Sequence, residues 1–293
     1  MAMVDESEKK MVGWRVEEGV GWITLDRGGR GNALTPEGAQ ELVDAVEEAV
    51  SDGSVYAIVL TGVGKHFCTG MDLSSSGQSK MAAATSSKSA SKSASKSTSK
   101  SAPKGASKLI DVFEVLARCP KPTIAFPNGS AYGGGIGLLF ACDFRIGVGT
   151  DVISFKEVRR GLVPAMISTY VVPVLGVATS KQLMLTGSAL DFAALAGRGG
   201  MTAVADDREG ARALLDVLLN ELRLCGPRAM AATKDLIHKV CEVNHSDAMG
   251  LAQAVFVDSL SSPEVRHGLS AFRSKVDPDW TLFRLSTSQS SKL

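Results

Sequence analysis

Apolar residues recur along the chain at two spacings. Val12 to Glu17 and Val20 to Asp26 predict two short strands, joined by a turn at Glu18 and Gly19. Leu42, Val43, Val46, Ala49 and Val50 then mark one face of a helix that Thr35 caps, Pro36 opens and Ser51 ends. Val55 to Thr61 is apolar without a break, which predicts a strand covered on both faces. Strand, helix, strand is a crossover unit and favours parallel pairing. Helical period returns from Leu109 to Ala117 and stops before Pro120 and Pro122. Pro122 to Phe126 reads as a second buried strand, Gly135 to Cys142 as an apolar helix, and Asp143 to Val148 and Val152 to Phe155 as further strands. Beyond the strongly apolar Ile167 to Leu175, helical spacing recurs in Asp206 to Leu224, Pro227 to Val240, Ser246 to Leu260 and Pro263 to Lys275. An α/β body, 1–205, is thus followed by a helical part, 206–276, and a tail, 277–293.

One stretch breaks the pattern. Ser74 to Lys108 is almost wholly Ser, Lys and Ala, with Lys at every fourth position from Lys88 onward. On a helix those lysines would stack on one face and repel, and serine competes with the helical backbone, so a disordered insertion at 74–108 is expected. An arm that binds polyanions is the alternative. The insertion holds seven lysines and no acid, and without it 25 basic residues face 31 acidic ones. Bulk charge therefore speaks against a general nucleic-acid role. The chain has 293 residues, 44% of them hydrophobic, ample for one large α/β domain with an appendage or for two domains.

Cys68, Cys119, Cys142, Cys225 and Cys241 are odd in number and form no Cys-x-x-Cys pair, as expected in a reducing compartment. Met1 to Met11 is charged and unlike a secretory signal. The most hydrophobic region, Thr123 to Val148, contains Asp143, Arg145 and many glycines, which argues against a membrane span. The chain ends in Ser291, Lys292 and Leu293 after a polar run, the form of a peroxisomal address read by an import receptor.

Candidate chemistry gathers at two glycine-bearing loops that follow strands. Asn128 to Arg145 contains Gly133-Gly134-Gly135 between a strand and a helix. Bare glycine backbone lets a ligand approach the first amides of the helix, whose dipole favours negative charge, so this is an oxyanion or phosphate site or else a turn that merely packs a helix closely. The second loop is Gly64 to Leu73, containing Gly70-Met71-Asp72. His66 and Cys68 share one side of a strand, but no third orienting group and no Gly-x-Ser-x-Gly accompany them. His238, His245 and His267 are spaced unlike a metal site. By spacing alone Glu157 reads as a surface glutamate beside Lys156 and Arg159.

In order and spacing, several segments together resemble the crotonase superfamily of enoyl-CoA hydratases and isomerases: Arg30 to Leu34, Ala57 to Gly62, Phe67 to Leu73, Lys121 to Asp143, Glu157 to Pro164, Gly226 to Leu236 and Ala271 to Lys275. The resemblance implies an α/β spiral of β-β-α turns, a C-terminal helical trimerisation region and a homotrimer or hexamer. It implies a coenzyme A thioester as substrate, no cofactor and no metal. Its oxyanion donors would be the amides of Met71 and Gly134, with Gly70 and Gly133 beside them, and its acid/base would be Glu157, kept protonated by apolar neighbours such as Phe155, Val158 and Leu162. Coenzyme A would be held by backbone around Ala33, near Asp72, and by Phe272 and Lys275 from a neighbouring subunit; an ordinary core phenylalanine and a solvated lysine are the plain alternative there. Asp143 and Asp72 read as residues that hold structure.

The sequence departs from that pattern at Gly137, where two-glutamate hydratases carry their second glutamate. Dienoyl-CoA isomerases place aspartates at Gly137 and near Ala165, and both are missing. One carboxylate suffices to move a proton between C2 and C4, as in a Δ3,Δ2-enoyl-CoA isomerase. Glu157 to Ser168 in turn looks like hydratases of branched, methylglutaconyl-type acyl-CoA. Hydratase and isomerase therefore stand side by side, hydratase first, ahead of a thioesterase or decarboxylase of the same fold and of a noncatalytic binding protein.

Overall fold

A computed structural model describes residues 10–72 and 104–285, with backbone alone for 104–110. Strands β1 (Val12–Glu17) and β2 (Val20–Leu25) form an antiparallel hairpin. Helix α1 (Pro36–Ser51) begins where Thr35 Oγ1 accepts from the Gly38 amide at 3.0 Å. Then come β3 (Ala57–Gly62), β4 (His66–Cys68), α2 (Lys104–Ala117), β5 (Thr123–Ala125), β6 (Ser130–Tyr132), α3 (Gly134–Ala141), β7 (Phe144–Val148) and β8 (Val152–Ser154). Next are α4 (Ala165–Thr186), β9 (Ala189–Asp191), α5 (Phe192–Ala196), β10 (Ala203–Ala205), α6 (Arg208–Arg223), α7 (Pro227–Glu242), α8 (His245–Ser261) and α9 (Pro263–Ser274).

Two sheets result, one ordered β1-β2-β3-β5-β7-β10 and the other β4-β6-β8-β9. Each pair β3/β4, β5/β6 and β7/β8 puts its first strand in the larger sheet and its second in the smaller, with parallel pairing between successive turns. This is a spiral of repeated β-β-α turns. The main core lies between the sheets and α1 to α4, where Phe67, Phe155, Phe192 and Ile136 are fully buried. On the other face of the larger sheet, Val20, Trp22, Tyr56, Val59 and Ile124 pack against Ala211, Leu215 and Leu219 of α6.

Where the chain turns from one sheet into the other, carbonyls leave the ladders and need partners. Asn32, buried and at φ 53°, donates from Nδ2 to the carbonyls of Val63, His66 and Phe67 at 2.9, 2.8 and 3.1 Å. Asn128 repeats the device one turn on, reaching Gly64 O and His66 O at 2.8 and 3.2 Å. Buried Lys121 closes the C-terminus of α1, donating to Ala49 O and Asp52 O. Asp143 accepts from Thr123 N, Thr123 Oγ1 and Lys234 Nζ at 2.8, 2.9 and 2.7 Å and so ties α7 to β5.

The structure differs from the sequence reading in four places. Helix α2 begins at Lys104 rather than Leu109, so the last five positions of the 74–108 stretch are its first turn and a half. Residues 74–103 of that stretch, and 286–293 with Ser291, Lys292 and Leu293, lie outside the described residues. Helix α6, grouped by its spacing with the C-terminal helices, packs on the sheet, because its Ala211/Leu215/Leu219/Leu222 stripe covers a sheet face that would otherwise meet water. Finally, β6, β9 and β10 are three residues each, too short for alternation to reveal, and α4 runs past Pro173 through a break at Gly176 (φ 69°, ψ 169°).

Candidate active site

The two glycine loops meet. A Cβ placed on Gly70 (φ 93°) would stand 2.9 Å from Gly134 N and 3.1 Å from Tyr132 O, and one on Gly134 would stand 3.7 Å from Met71 N. Such an approach requires glycine at Gly70. Met71 forms a one-residue parallel bridge with Leu34, in which Leu34 N donates to Gly70 O at 2.7 Å and Asp72 N donates to Leu34 O at 2.9 Å. In a parallel ladder the residue between two such bonds turns its own N–H to the opposite side. Met71 N–H therefore faces away from Leu34, and among the described residues neither it nor Gly134 N donates to another group. Gly134 is the first residue of α3, where amides lack helical partners, and Gly133 before it holds φ 50°, ψ −126°, a conformation open to glycine.

Glu157 comes to the same place. A Cβ on Gly133 would lie 3.2 Å from Glu157 Oε1, while Oε2 is buried and without a hydrogen-bond partner. Burial raises the affinity of this carboxyl for its proton; its own backbone amide and the charge of Arg160 pull the other way. The cations adjoining it in sequence are engaged elsewhere: Lys156 Nζ sits 5.1 Å from the centroid of the Tyr132 ring, and Arg159 Nε donates to Thr186 O at 3.1 Å. No ion pair within 4.0 Å forms at Glu157 among the described residues, so it is not a surface salt-bridge glutamate. Of its proposed apolar neighbours, Phe155 is fully buried but Leu162 is 45% exposed.

One helical turn below Gly133, Gly137 N donates to Gly133 O at 3.4 Å, and the space a side chain at Gly137 would need is taken. A Cβ there would be 2.5 Å from Ile167 Cγ2 and 2.7 Å from Phe113 Cε1. The missing second carboxylate is thus replaced by an aromatic ring and a branched aliphatic chain. Gly137→Ala should cost about 1–3 kcal/mol through overpacking, read as a lower denaturation midpoint.

The structure brings Gly70, Met71, Gly133, Gly134 and Glu157 together. Ala33 and Asp72 adjoin them but are spoken for within the chain: Ala33 O accepts from Arg27 Nη1 at 3.1 Å, and Asp72 Oδ2 from the same nitrogen at 2.7 Å. Phe272 and Lys275 are not brought to this place by their own chain; Phe272 is 79% exposed on α9, which packs against α8, the start of α7 and the rings of Trp280 and Phe283. Cys68 is fully buried with its thiol pushed up to about 12 by desolvation, unsuited to attack as a thiolate. Among the described residues no three His, Cys, Asp or Glu side chains gather as a metal site, and no helix is long and apolar enough to cross a membrane. Sequence reasoning passed over Arg27, Phe113 and Ile167, because each acts on residues far away along the chain.

Comparison with known proteins places this geometry in context. Residues 15–282 match the family described as enoyl-CoA hydratase/isomerase. The enoyl-CoA hydratase ACTT6 of Alternaria alternata is 36% identical over 271 residues, 92% of this chain and 84% of that protein. From the same organism, the enoyl-CoA hydratase AKT6-1 is 35% identical over 272 residues, with the same shares of 92% and 84%. The crystal structure of an enoyl-CoA hydratase/isomerase from Marinobacter aquaeolei superposes with a TM-score of 0.81 at 28% identity, covering 93% of this chain and all (100%) of that one.

Proposed function

The chain belongs to the enoyl-CoA hydratase/isomerase family, and from that premise we infer that it adds water reversibly across the C2–C3 double bond of a 2-enoyl-CoA thioester through an enolate-like intermediate. The thioester oxygen would sit between the amides of Met71 and Gly134. These donors are oriented before negative charge develops, so they pay no reorganisation when it does. Water would add its oxygen to C3 while Glu157 takes up its proton, and Glu157 would return a proton to C2, which leaves the carboxylate as it began. One carboxyl with a free oxygen can serve both steps. The observation that carries this reading is Glu157 Oε1 lying against Gly133 while its other oxygen is buried and unpartnered.

A second reading has its own support. Phe113 and Ile167 close the space at Gly137, so that position offers no carboxylate to hold water, and a lone glutamate that carries a proton between C4 and C2 makes a Δ3,Δ2-enoyl-CoA isomerase. Turnover of 2-enoyl-CoA and 3-enoyl-CoA esters, followed by gain or loss of the conjugated absorbance, separates the two. The same panel should include a branched, carboxylate-bearing enoyl-CoA, given the likeness of the Glu157 segment to methylglutaconyl-type hydratases. Release of free coenzyme A or carbon dioxide from every ester, without hydrated or shifted product, would overturn both.

Coenzyme A would be held by backbone at Ala33 and by Phe272 and Lys275 of another copy, since those two lie apart from the site in their own chain. Helix α8 buries no residue and exposes Met249, Phe256, Val257 and Leu260, a surface suited to a homotrimer, which sedimentation would report. The chemistry needs no cofactor beyond the substrate's own coenzyme A.

Acid dependence follows from Glu157. As a base it must be ionised in the free enzyme, so kcat/KM should rise with pH through a value above the ordinary carboxylate range. Arg160 donates from Nη1 to Lys156 O at 3.2 Å, and its charge favours the ionised form of Glu157. Arg160→Leu should therefore move the acid limb of the pH profile to higher pH, and Arg160→Lys should leave it near wild type.

A further inference from the structure

A single guanidinium lies behind the Met71 donor. Arg27 follows β2, and its own backbone is fixed at three points: Arg27 N donates to Asn32 Oδ1 at 2.9 Å, and Arg27 O accepts from Arg30 N and Asn32 N at 2.9 and 3.0 Å. From this anchored stem, Nη1 donates to Ala33 O at 3.1 Å and to Asp72 Oδ2 at 2.7 Å. Ala33 immediately precedes Leu34, and Asp72 immediately follows Met71. The two partners of Arg27 are thus the neighbours of the two residues that form the bridge.

The bridge needs such support. A full strand is held in register by many ladder bonds, whereas Met71 meets Leu34 through the two bonds on either side of one residue. A rotation of that short segment would turn Met71 N–H away from the space beside Gly134. A charge-assisted bond resists it more strongly than a neutral one, and the Arg27 and Asp72 side chains are only 27% and 15% exposed, so water competes weakly. Asp72 therefore holds the donor rather than the substrate.

We propose that Arg27 is a positioning residue that aims the Met71 amide at the thioester oxygen by clamping Ala33 and Asp72 on the two sides of the Leu34–Met71 bridge. The proposal rests on the reading of Met71 as an oxyanion donor. Arg27 touches neither the substrate nor the reacting atoms, and its effect reaches the reaction through the direction of one N–H bond.

The test uses the full chain with butanoyl-CoA, a saturated thioester that binds without reacting, and an enoyl-CoA that turns over. In wild type the infrared carbonyl band of bound butanoyl-CoA should lie below its position in water, because two donors polarise it. Arg27→Met should bring the band back toward the water value while butanoyl-CoA still binds. The same variant should lower kcat on the order of 10- to 100-fold, the scale of a misplacement near 1 Å, with KM within about threefold. Arg27→Lys should recover part of both signals. Asp72→Asn should act like Arg27→Met, and the double variant should be little worse than either, as expected for one coupled unit. A band and a kcat in Arg27→Met equal to wild type would overturn the clamp, as would a kcat loss that merely follows the loss of folded protein. A wild-type band that does not shift on binding would instead overturn Met71 as a donor.

Discussion

Glu157→Gln is expected to lower turnover of the enoyl-CoA substrate by about 10²–10⁴ while leaving the fold intact. Glutamine matches the glutamate in shape, so the contact with Gly133 survives, but an amide neither takes a proton from water nor returns one to carbon. Stability should hold or rise. Burial lifts the proton affinity of Glu157 in the folded state above its ordinary value, so the folded protein retains that proton to higher pH than the unfolded chain. Between the ordinary glutamate value and the raised one, stability therefore falls as pH increases, and above the raised value the buried charge is a net cost that glutamine removes. The check is a pair of measurements on one preparation: steady-state turnover, and thermal midpoints at neutral and mildly acidic pH. Turnover within a few-fold of wild type would remove Glu157 from the chemistry.

The second large effect is expected at Gly134, where two substitutions separate the amide from the space around it. Proline is accepted at the first position of a helix, and Gly133 ahead of it is outside the helical region that proline disfavours in its predecessor. Gly134→Pro should thus keep α3 but delete the N–H and put ring carbon where the oxyanion would lie, a loss of at least about 10²–10³ in kcat/KM. Gly134→Ala keeps the N–H, and its Cβ would meet Gly70 and Met71 atoms no closer than 3.5 Å, ordinary van der Waals contact. Alanine should therefore retain most activity. Loss of activity in both variants to the same degree would show that space, not the donor, matters at this position.

Much of this was legible in the chain because several signals are local. Thr35 and Pro36 mark a helix start that the structure uses, with the Thr35 side chain on the Gly38 amide. Val55 to Thr61 is apolar enough to read as a buried strand, and β3 occupies Ala57–Gly62. The meeting of the Gly70 and Gly133 loops could be suspected only from the resemblance to a family, since 62 residues, the Ser/Lys-rich stretch among them, separate the two glycines in sequence. Within the smaller sheet, β6 and β9 escaped notice because they have three residues each, fewer than alternation needs, whereas the strand read at Val152 to Phe155 contains β8. Arg27 and Asp72, or Phe113 and Gly137, pair only through folding. Phe272 and Lys275 carry no local sign that would tell a binding role from that of an ordinary phenylalanine and a solvated lysine.

The packing around Gly137 also constrains which variants are reachable one substitution at a time. Replacing Gly137 by glutamate alone drives its Cβ into the Phe113 ring and the Ile167 methyl, so that variant should fail before any gain in water activation can be felt. Trimming Phe113 and Ile167 first opens room but gives no new chemistry by itself. The order of changes therefore decides the outcome: a path to a second carboxylate begins with steps that are at best neutral, and positions 113, 137 and 167 are bound by epistasis rather than free to vary independently.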